Sequence, residues 1–286
     1  MKKIISLILL LCMVLALSAC GKTEITMQEI YDAGQNEAML KNHESVYARD
    51  EVDGALYSES YLTEDYIYVN YIEYGWAEFL TDDTYYDYYD GGYARVLPIS
   101  PDGIVDIASY RAKYYTSILF SADTVYETIE SVSKKDGRIT VTSFFDQEAL
   151  GNKVEGLASG RYEYVLDEKT LEVISYTGDD TLDDGTVYHM VSEVSCDAEA
   201  PEMVKVFLEY ANQTEDLRNV TVVTNPGAEQ EISQSIQAPK GLFIGFCSAG
   251  DFEATYELYS DAACTEPYDL YEDADSDLTI YVKWVE

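Results

Sequence analysis

Eleven tyrosines fall between Tyr57 and Tyr93, in a chain that holds 27. Tyrosine joins a large apolar ring to a hydroxyl tip, which suits glycan stacking, peptide grooves and wet cavities. Tyr85, Tyr86, Tyr88 and Tyr89 alternate with Asp82, Asp83, Asp87 and Asp90 ahead of Gly91-Gly92, the pattern of an exposed recognition loop. Tyr66 and Tyr68 belong to a strand-like run and complete the candidate ligand-binding set. The competing account is that these rings fill half-buried strand positions and cross-strand pairs. The acidic clusters invite a calcium reading, but neither fits an EF-hand loop. Counting from Asp180, Leu182 occupies position 3 and Val191 position 12, where a bidentate Glu is required. Asp273, Asp275 and Asp277 alternate correctly, yet Leu278 stands where the loop needs Gly. No metal site is expected.

Other chemistry has little footing. His43 and His189, the only histidines, lie far apart. In Gly156-Leu157-Ala158-Ser159-Gly160 the serine falls one place late for a nucleophile elbow. G-x-G-x-x-G, Walker-type and H-E-x-x-H patterns are missing, as is C-x-x-C. The expectation is a non-enzymatic protein without a cofactor. Its 18 basic and 54 acidic residues give a net charge of −36, which opposes a nucleic-acid partner because phosphate must be neutralised by Lys and Arg. At 47% apolar, the 286 residues can still build a core, unlike a disordered acidic tail.

The N-terminus reads as an address. Lys2 and Lys3 precede an uncharged run, Leu7 to Leu17, too short for a mature membrane span. It ends in Leu17-Ser18-Ala19-Cys20, which resembles the lipobox of bacterial lipoproteins. That resemblance implies cleavage after Ala19 and acylation of Cys20, with residues 1–19 a signal peptide and 20–24 a short tether. Two or more acyl chains hold a protein stably on a membrane. The expected location is therefore the extracytoplasmic face of a bacterial membrane. Cys12 leaves with the signal, so Cys196, Cys247 and Cys264 remain. Their odd number is no disulfide framework, although Cys247 and Cys264 are close enough in sequence to pair.

Positioning elements follow from periodicity. Thr26 and Glu29 form a capping-box pattern, predicting a helix over about residues 27–41, weakened by Gly34. Period-two patterning then takes over, punctuated by turns. Asp53-Gly54 separates strands 46–52 and 55–62. Strands are predicted at 66–72, 77–81, 84–89 and 93–99, with Gly91-Gly92 as a turn. Others follow at 125–132, 138–145, 161–166, 171–177 and 186–194. Residues 104–120 read as a short helix or a loop crossing the sheet. Tyr66, Tyr68 and Ile72 point to one side, and Ile67, Val69 and Tyr71 to the other, so both faces of this sheet must cover something.

A lipidated chain with an N-terminal helix, an antiparallel meander and hairpins such as Tyr164 to Leu171 is similar to the LolA/LppX-like half-barrel lipoproteins over about residues 25–200. The resemblance implies an apolar ligand held between a curved sheet and its helices. Met203, Val204, Phe207 and Leu208 suggest a linking helix within 201–218. Short strands at 219–224, 242–246 and 255–259 lead to Leu278 to Trp284. That closing stretch resembles the Listeria–Bacteroides repeat, which implies a small β-grasp-like unit over 219–286. Glu257-Leu258 replaces the usual Gly-Trp there, and only Gly227 remains of the usual paired glycines. The expected class is mainly β (α+β): a curved antiparallel meander with an N-terminal helix and a small C-terminal unit. The expected function is a membrane-anchored protein binding an apolar or amphipathic ligand. The alternative is surface recognition of a protein or glycan through the Tyr-rich loops and the C-terminal unit.

Overall fold

The computed structural model describes residues 25–120, 122–146, 156–249, 255–269 and 275–285. The signal segment, Cys20 and Asp273 lie outside them. The capping box forms: the Thr26 hydroxyl accepts from the Glu29 N–H at 3.2 Å, and the Glu29 carboxylate accepts from the Thr26 N–H at 3.1 Å. The helix expected over 27–41 is divided in two, α1 (Met27–Ala33) and α2 (Asn36–Met39). The division falls at Gly34 and Gln35, where Gln35 takes extended backbone and the Phe120 ring lies against Gly34. A Cβ at Gly34 would stand 2.3 Å from Phe120 Cε2, closer than any side chain tolerates.

Two meanders make the main sheet. The first is β1 (Ser45–Val52), β2 (Ala55–Thr63), β3 (Ile67–Tyr71), β4 (Trp76–Leu80), β5 (Tyr85–Tyr89) and β6 (Gly92–Ser100). Its hairpins turn where left-handed backbone is cheapest, at Asp53-Gly54 and Asp90-Gly91, all with positive φ, as two-residue primed turns require. The second turn sits one residue before the expected Gly91-Gly92, because Asp tolerates that conformation and releases Gly92 into β6. After β7 (Gly103–Ile104) and α3 (Ile107–Tyr114), the second meander runs β8 (Thr128–Lys135), β9 (Arg138–Asp146), β10 (Leu157–Asp167), β11 (Val173–Leu182) and β12 (Val187–Cys196). β12 pairs antiparallel with β1, which fuses both meanders.

α4 (Glu202–Ala211) follows, then β13 (Leu217–Thr224), β14 (Ile232–Pro239), β15 (Phe243–Ser248), β16 (Thr255–Tyr259) and β17 (Leu278–Val285). The result is a 13-stranded sheet, ordered β15-β6-β5-β4-β3-β2-β1-β12-β11-β10-β9-β8 with β7 beside β6, and a 4-stranded sheet ordered β14-β13-β17-β16. The large sheet is antiparallel except at β15–β6, and β13–β17 is the parallel pair of the small one. The mainly β class is thus observed. β14 was not anticipated, because its Ser- and Gln-rich sequence hides the alternation of Ile232 and Ile236. β15, expected inside the C-terminal unit, leaves it to extend the large sheet.

Both faces of the large sheet are covered, as the two-sided apolar pattern of β3 requires. On the first face, Met27, Ile30 and Met39 of the helices pack on Val46, Leu62, Ile67 and Val69, and the same core continues to Val141 and Tyr164. On the second face, Val204 and Phe207 of α4 pack on Tyr68, Phe79 and Tyr86. Farther along it, Leu97, Ile99 and Ile244 meet Val220, Val222 and Ile280 of the small sheet. The expected linking helix is therefore a packing element of the core.

Candidate functional site

The site begins with a tyrosine pattern on the first face. Tyr162 and Tyr164 are two residues apart on β10 and so share a face. Tyr176 on β11 lies directly opposite Tyr164, and Gly178 directly opposite Tyr162. A Cβ on Gly178 would stand 2.4 Å from Tyr162 Cδ1, and one on Gly160 would stand 2.1 Å from its hydroxyl. The Tyr162 ring therefore lies flat over two strand glycines, the close approach that glycine in a strand often marks. Met190 on β12 and Phe145 on β9 extend the floor.

The roof comes from the segment after α3, which Asn36 ties down. The Asn36 side chain donates to the Tyr115 carbonyl at 2.8 Å and accepts from the Ile118 N–H at 3.0 Å. The Ser117 hydroxyl donates to the Gly34 carbonyl at 2.8 Å and accepts from the Leu119 and Phe120 N–H groups at 3.1 Å each. Phe120 thereby stands edge-on to Tyr164, 5.7 Å between centroids, while Tyr164 and Tyr176 are 5.9 Å apart. Between floor and roof is a cavity of about 260 Å³.

Two carboxyl groups enter this aromatic space. Glu127 accepts from the Tyr164 hydroxyl at 2.7 Å and from the Ser143 hydroxyl. Asp180 accepts from the Tyr162 hydroxyl at 2.6 Å. Burial pushes the Glu127 carboxyl up to about 7, the two hydroxyl bonds pulling against it and Asp180 adding to it. Asp180 is raised too, again chiefly by burial. The same burial pushes the Tyr162 and Tyr164 phenols far upward, so they stay neutral donors. Among the described residues the lining contains no lysine or arginine. Such a cavity admits a small apolar body and offers acceptors to one polar group.

The six tyrosines singled out from sequence lie elsewhere. The Tyr85–Tyr89 stretch is strand β5 between β4 and β6, not an exposed loop. Alternation sends Tyr85 to the first face, where it donates to Glu78 at 2.5 Å. It sends Tyr86 to the second, where Arg95 stands over its ring at 5.2 Å. Tyr88 packs on Tyr93 at 4.9 Å. Tyr68 is fully buried beneath α4 and donates to Glu59 at 3.2 Å. Tyr66 packs on Phe79 at 5.1 Å and borders an open polar groove of about 1680 Å³. Only Tyr89 of the six is exposed, at 59%, beside Trp76 and Phe243 in a shallower cleft of about 370 Å³. None of the six lines the Tyr162 cavity.

Charged groups at the polar groove are largely paired. Arg111 meets Asp82 at 3.2 Å, and His43 meets Glu172 and Asp197 at 3.2 Å each. Cys196, Cys247 and Cys264 are free thiols. Among the described residues no group of three or more His, Cys, Asp or Glu is arranged to hold a metal ion. No described helix is long and apolar enough to cross a membrane.

Phe120, Glu127, Tyr162, Tyr176 and Asp180 do not stand out as a group in the sequence. The available signal was the pair of glycines, Gly160 and Gly178, inside otherwise good strands.

No family model matches the chain, and no curated protein matches its sequence. Among solved structures, it is similar to the lipoprotein LppX of Mycobacterium tuberculosis, with 8% identity and a TM-score of 0.34, over 61% of this chain and 96% of that one. It is also similar to a LolA superfamily protein from Nitrosomonas europaea, with 9% identity and a TM-score of 0.24, over 63% and 97% of the respective chains. The chemistry of the cavity stands on its own residues.

Proposed function

We propose that this protein is a lipid-anchored extracytoplasmic binding protein that holds a small apolar or amphipathic ligand on the first face of its large sheet. The observation that carries this reading is the cavity of about 260 Å³ between β9–β12 and Phe120, Thr124 and Glu127. Its walls combine aromatic rings with Leu119, Leu157 and Met190, and the carboxyl groups of Glu127 and Asp180 converge on it, an apolar body with placed polar groups as in small-molecule sites. The anchor rests on the sequence pattern that ends in Cys20. Native mass spectrometry of protein extracted from membranes reads both parts. The expected mass is the polypeptide from Cys20 with its acyl groups, plus a small adduct that collisional activation removes. An unacylated mass would sink the anchor. The bare lipoprotein mass from several preparations, with no uptake of added ligand, would sink the binding role.

The cavity itself can be closed by one methyl group. In Gly178→Ala the new Cβ has to displace the Tyr162 ring, and the open side is the cavity. Ligand affinity is expected to fall about tenfold or more, ~1.4 kcal/mol, with the circular dichroism spectrum retained. Undiminished uptake by a folded Gly178→Ala protein would place the ligand elsewhere.

A further inference from the structure

We propose that the ligand carries a cationic ammonium head, received among the rings of Tyr162, Tyr164 and Tyr176 and facing the carboxyl groups of Glu127 and Asp180. This deepens the binding role above and rests on it. Aromatic faces attract cations through their negative quadrupole, and the attraction grows when water is excluded. The rings of this cavity are held in place from below by Gly160 and Gly178 and from above by Phe120. Glu127 receives its hydrogen bonds from the neutral hydroxyls of Tyr164 and Ser143, and Asp180 from that of Tyr162. Among the described residues, neither makes an ion pair with a basic side chain, and none that lines the cavity is basic. Two acids and three phenols thus share one partly desolvated space, with no positive charge from the described residues.

An anionic head such as a fatty-acid carboxylate would meet like charge from Asp180, and from Glu127 as it ionises, whereas an ammonium would find counter-charge and ring faces. The volume, below the ~300–1,000 Å³ usual for ligand pockets, suits one head group with a short chain rather than a lipid with several acyl chains. The net charge of −36 also draws cations toward the protein before they bind.

The test is a calorimetric titration of the full lipoprotein in nanodiscs with three ten-carbon probes: decyltrimethylammonium, decanol and decanoate. One ammonium per chain is expected, at least tenfold tighter than decanol, with decanoate weakest. The Glu127→Gln, Asp180→Asn double variant should bring the ammonium affinity down to that of decanol, and a near-ultraviolet circular dichroism spectrum like that of the native protein reports an intact tyrosine cavity. Adventitious attraction to so acidic a protein would barely respond to two charges among so many. For the native protein the ammonium affinity should rise between pH 6 and pH 8. Glu127 ionises in that range, facing Asp180 and Tyr176 of β11, Tyr162 and Tyr164 of β10 and Ser143 of β9. Equal affinity for decanol and ammonium, or tighter decanoate, would overturn the ammonium head and leave the apolar cavity standing. Binding of none of the three would overturn the cavity reading itself.

Discussion

Phe207→Ala is expected to cost about 3–5 kcal/mol of stability, the usual range for deleting a fully buried phenylalanine ring. Phe207 is fully buried. Its ring stacks on Phe79 with centroids 5.3 Å apart and planes 4° from parallel, and the edge of Tyr93 meets it at 5.5 Å. Only Val204 accompanies it as a fully buried anchor of α4, whose N-cap Pro201 supplies no side-chain hydrogen bond. The helix is therefore attached to the second face mainly by this ring. In a domain of this size the loss corresponds to a fall in midpoint temperature of roughly 10 °C, measurable by calorimetry. Phe207→Leu keeps most of the apolar volume and should cost less. If Phe207→Ala cost under about 1 kcal/mol, the docking of α4 on the sheet would be wrong. Ligand affinity, measured where the variant is still folded, should change little, because the cavity lies on the opposite face.

Asp87→Asn is expected to stabilise the protein most above pH 8 and by no more than about 1.5 kcal/mol at pH 5. Asp87 on β5 lies directly across from Glu78 on β4. Glu78 is buried and accepts from Tyr85 at 2.5 Å and Tyr115 at 2.7 Å. One oxygen of Asp87 is shielded from water without a donor. Burial, and then the Glu78 charge opposite, pushes the Asp87 carboxyl up to about 8, against the pull of the Trp76 and Tyr85 hydrogen bonds. In the unfolded chain the same group ionises near its ordinary value, about 3.9. Between these two values the folded protein holds a proton that the unfolded chain has released. Stability is therefore fully present below about pH 4, declines as pH rises, and levels off above about 8. At ~1.4 kcal/mol per unit, the decline from this one group approaches about 6 kcal/mol at most. Glu78, also raised by burial, acts in the same direction.

Asn keeps an acceptor for Trp76 and has no proton to lose, so the variant should be about 2–4 kcal/mol more stable than the native protein at pH 8.5. Glu127 ionises within the same window, so the informative quantity is the difference between the two proteins. Urea unfolding at pH 5, 7 and 8.5 measures it. Parallel stability profiles for the two proteins would show that Asp87 is ionised at ordinary cost.

Local signals in this sequence were direct because local physics produced them. Asp53-Gly54 accepts left-handed backbone, so the β1–β2 hairpin was legible from two residues. Thr26 and Glu29 satisfied each other's backbone donors, and a helix start followed. The opposed apolar sets of β3, Ile67 and Val69 against Tyr66 and Tyr68, required two covered faces, and both are covered. The lipobox-like run to Cys20 is likewise a local pattern. Pairing across long separations had no such signal. Strand propensity says that a segment extends, not which strand lies beside it, so β12 on β1 and β15 on β6 emerged only in three dimensions. Strand alternation also divided the conspicuous tyrosines, sending Tyr85 and Tyr89 to one face and Tyr86 and Tyr88 to the other. The cavity needed the β10–β11 register to set Tyr162 on Gly178, and Asn36 to carry Phe120 above Tyr164. Its members come from segments far apart in the chain, and only tertiary contact makes them one site.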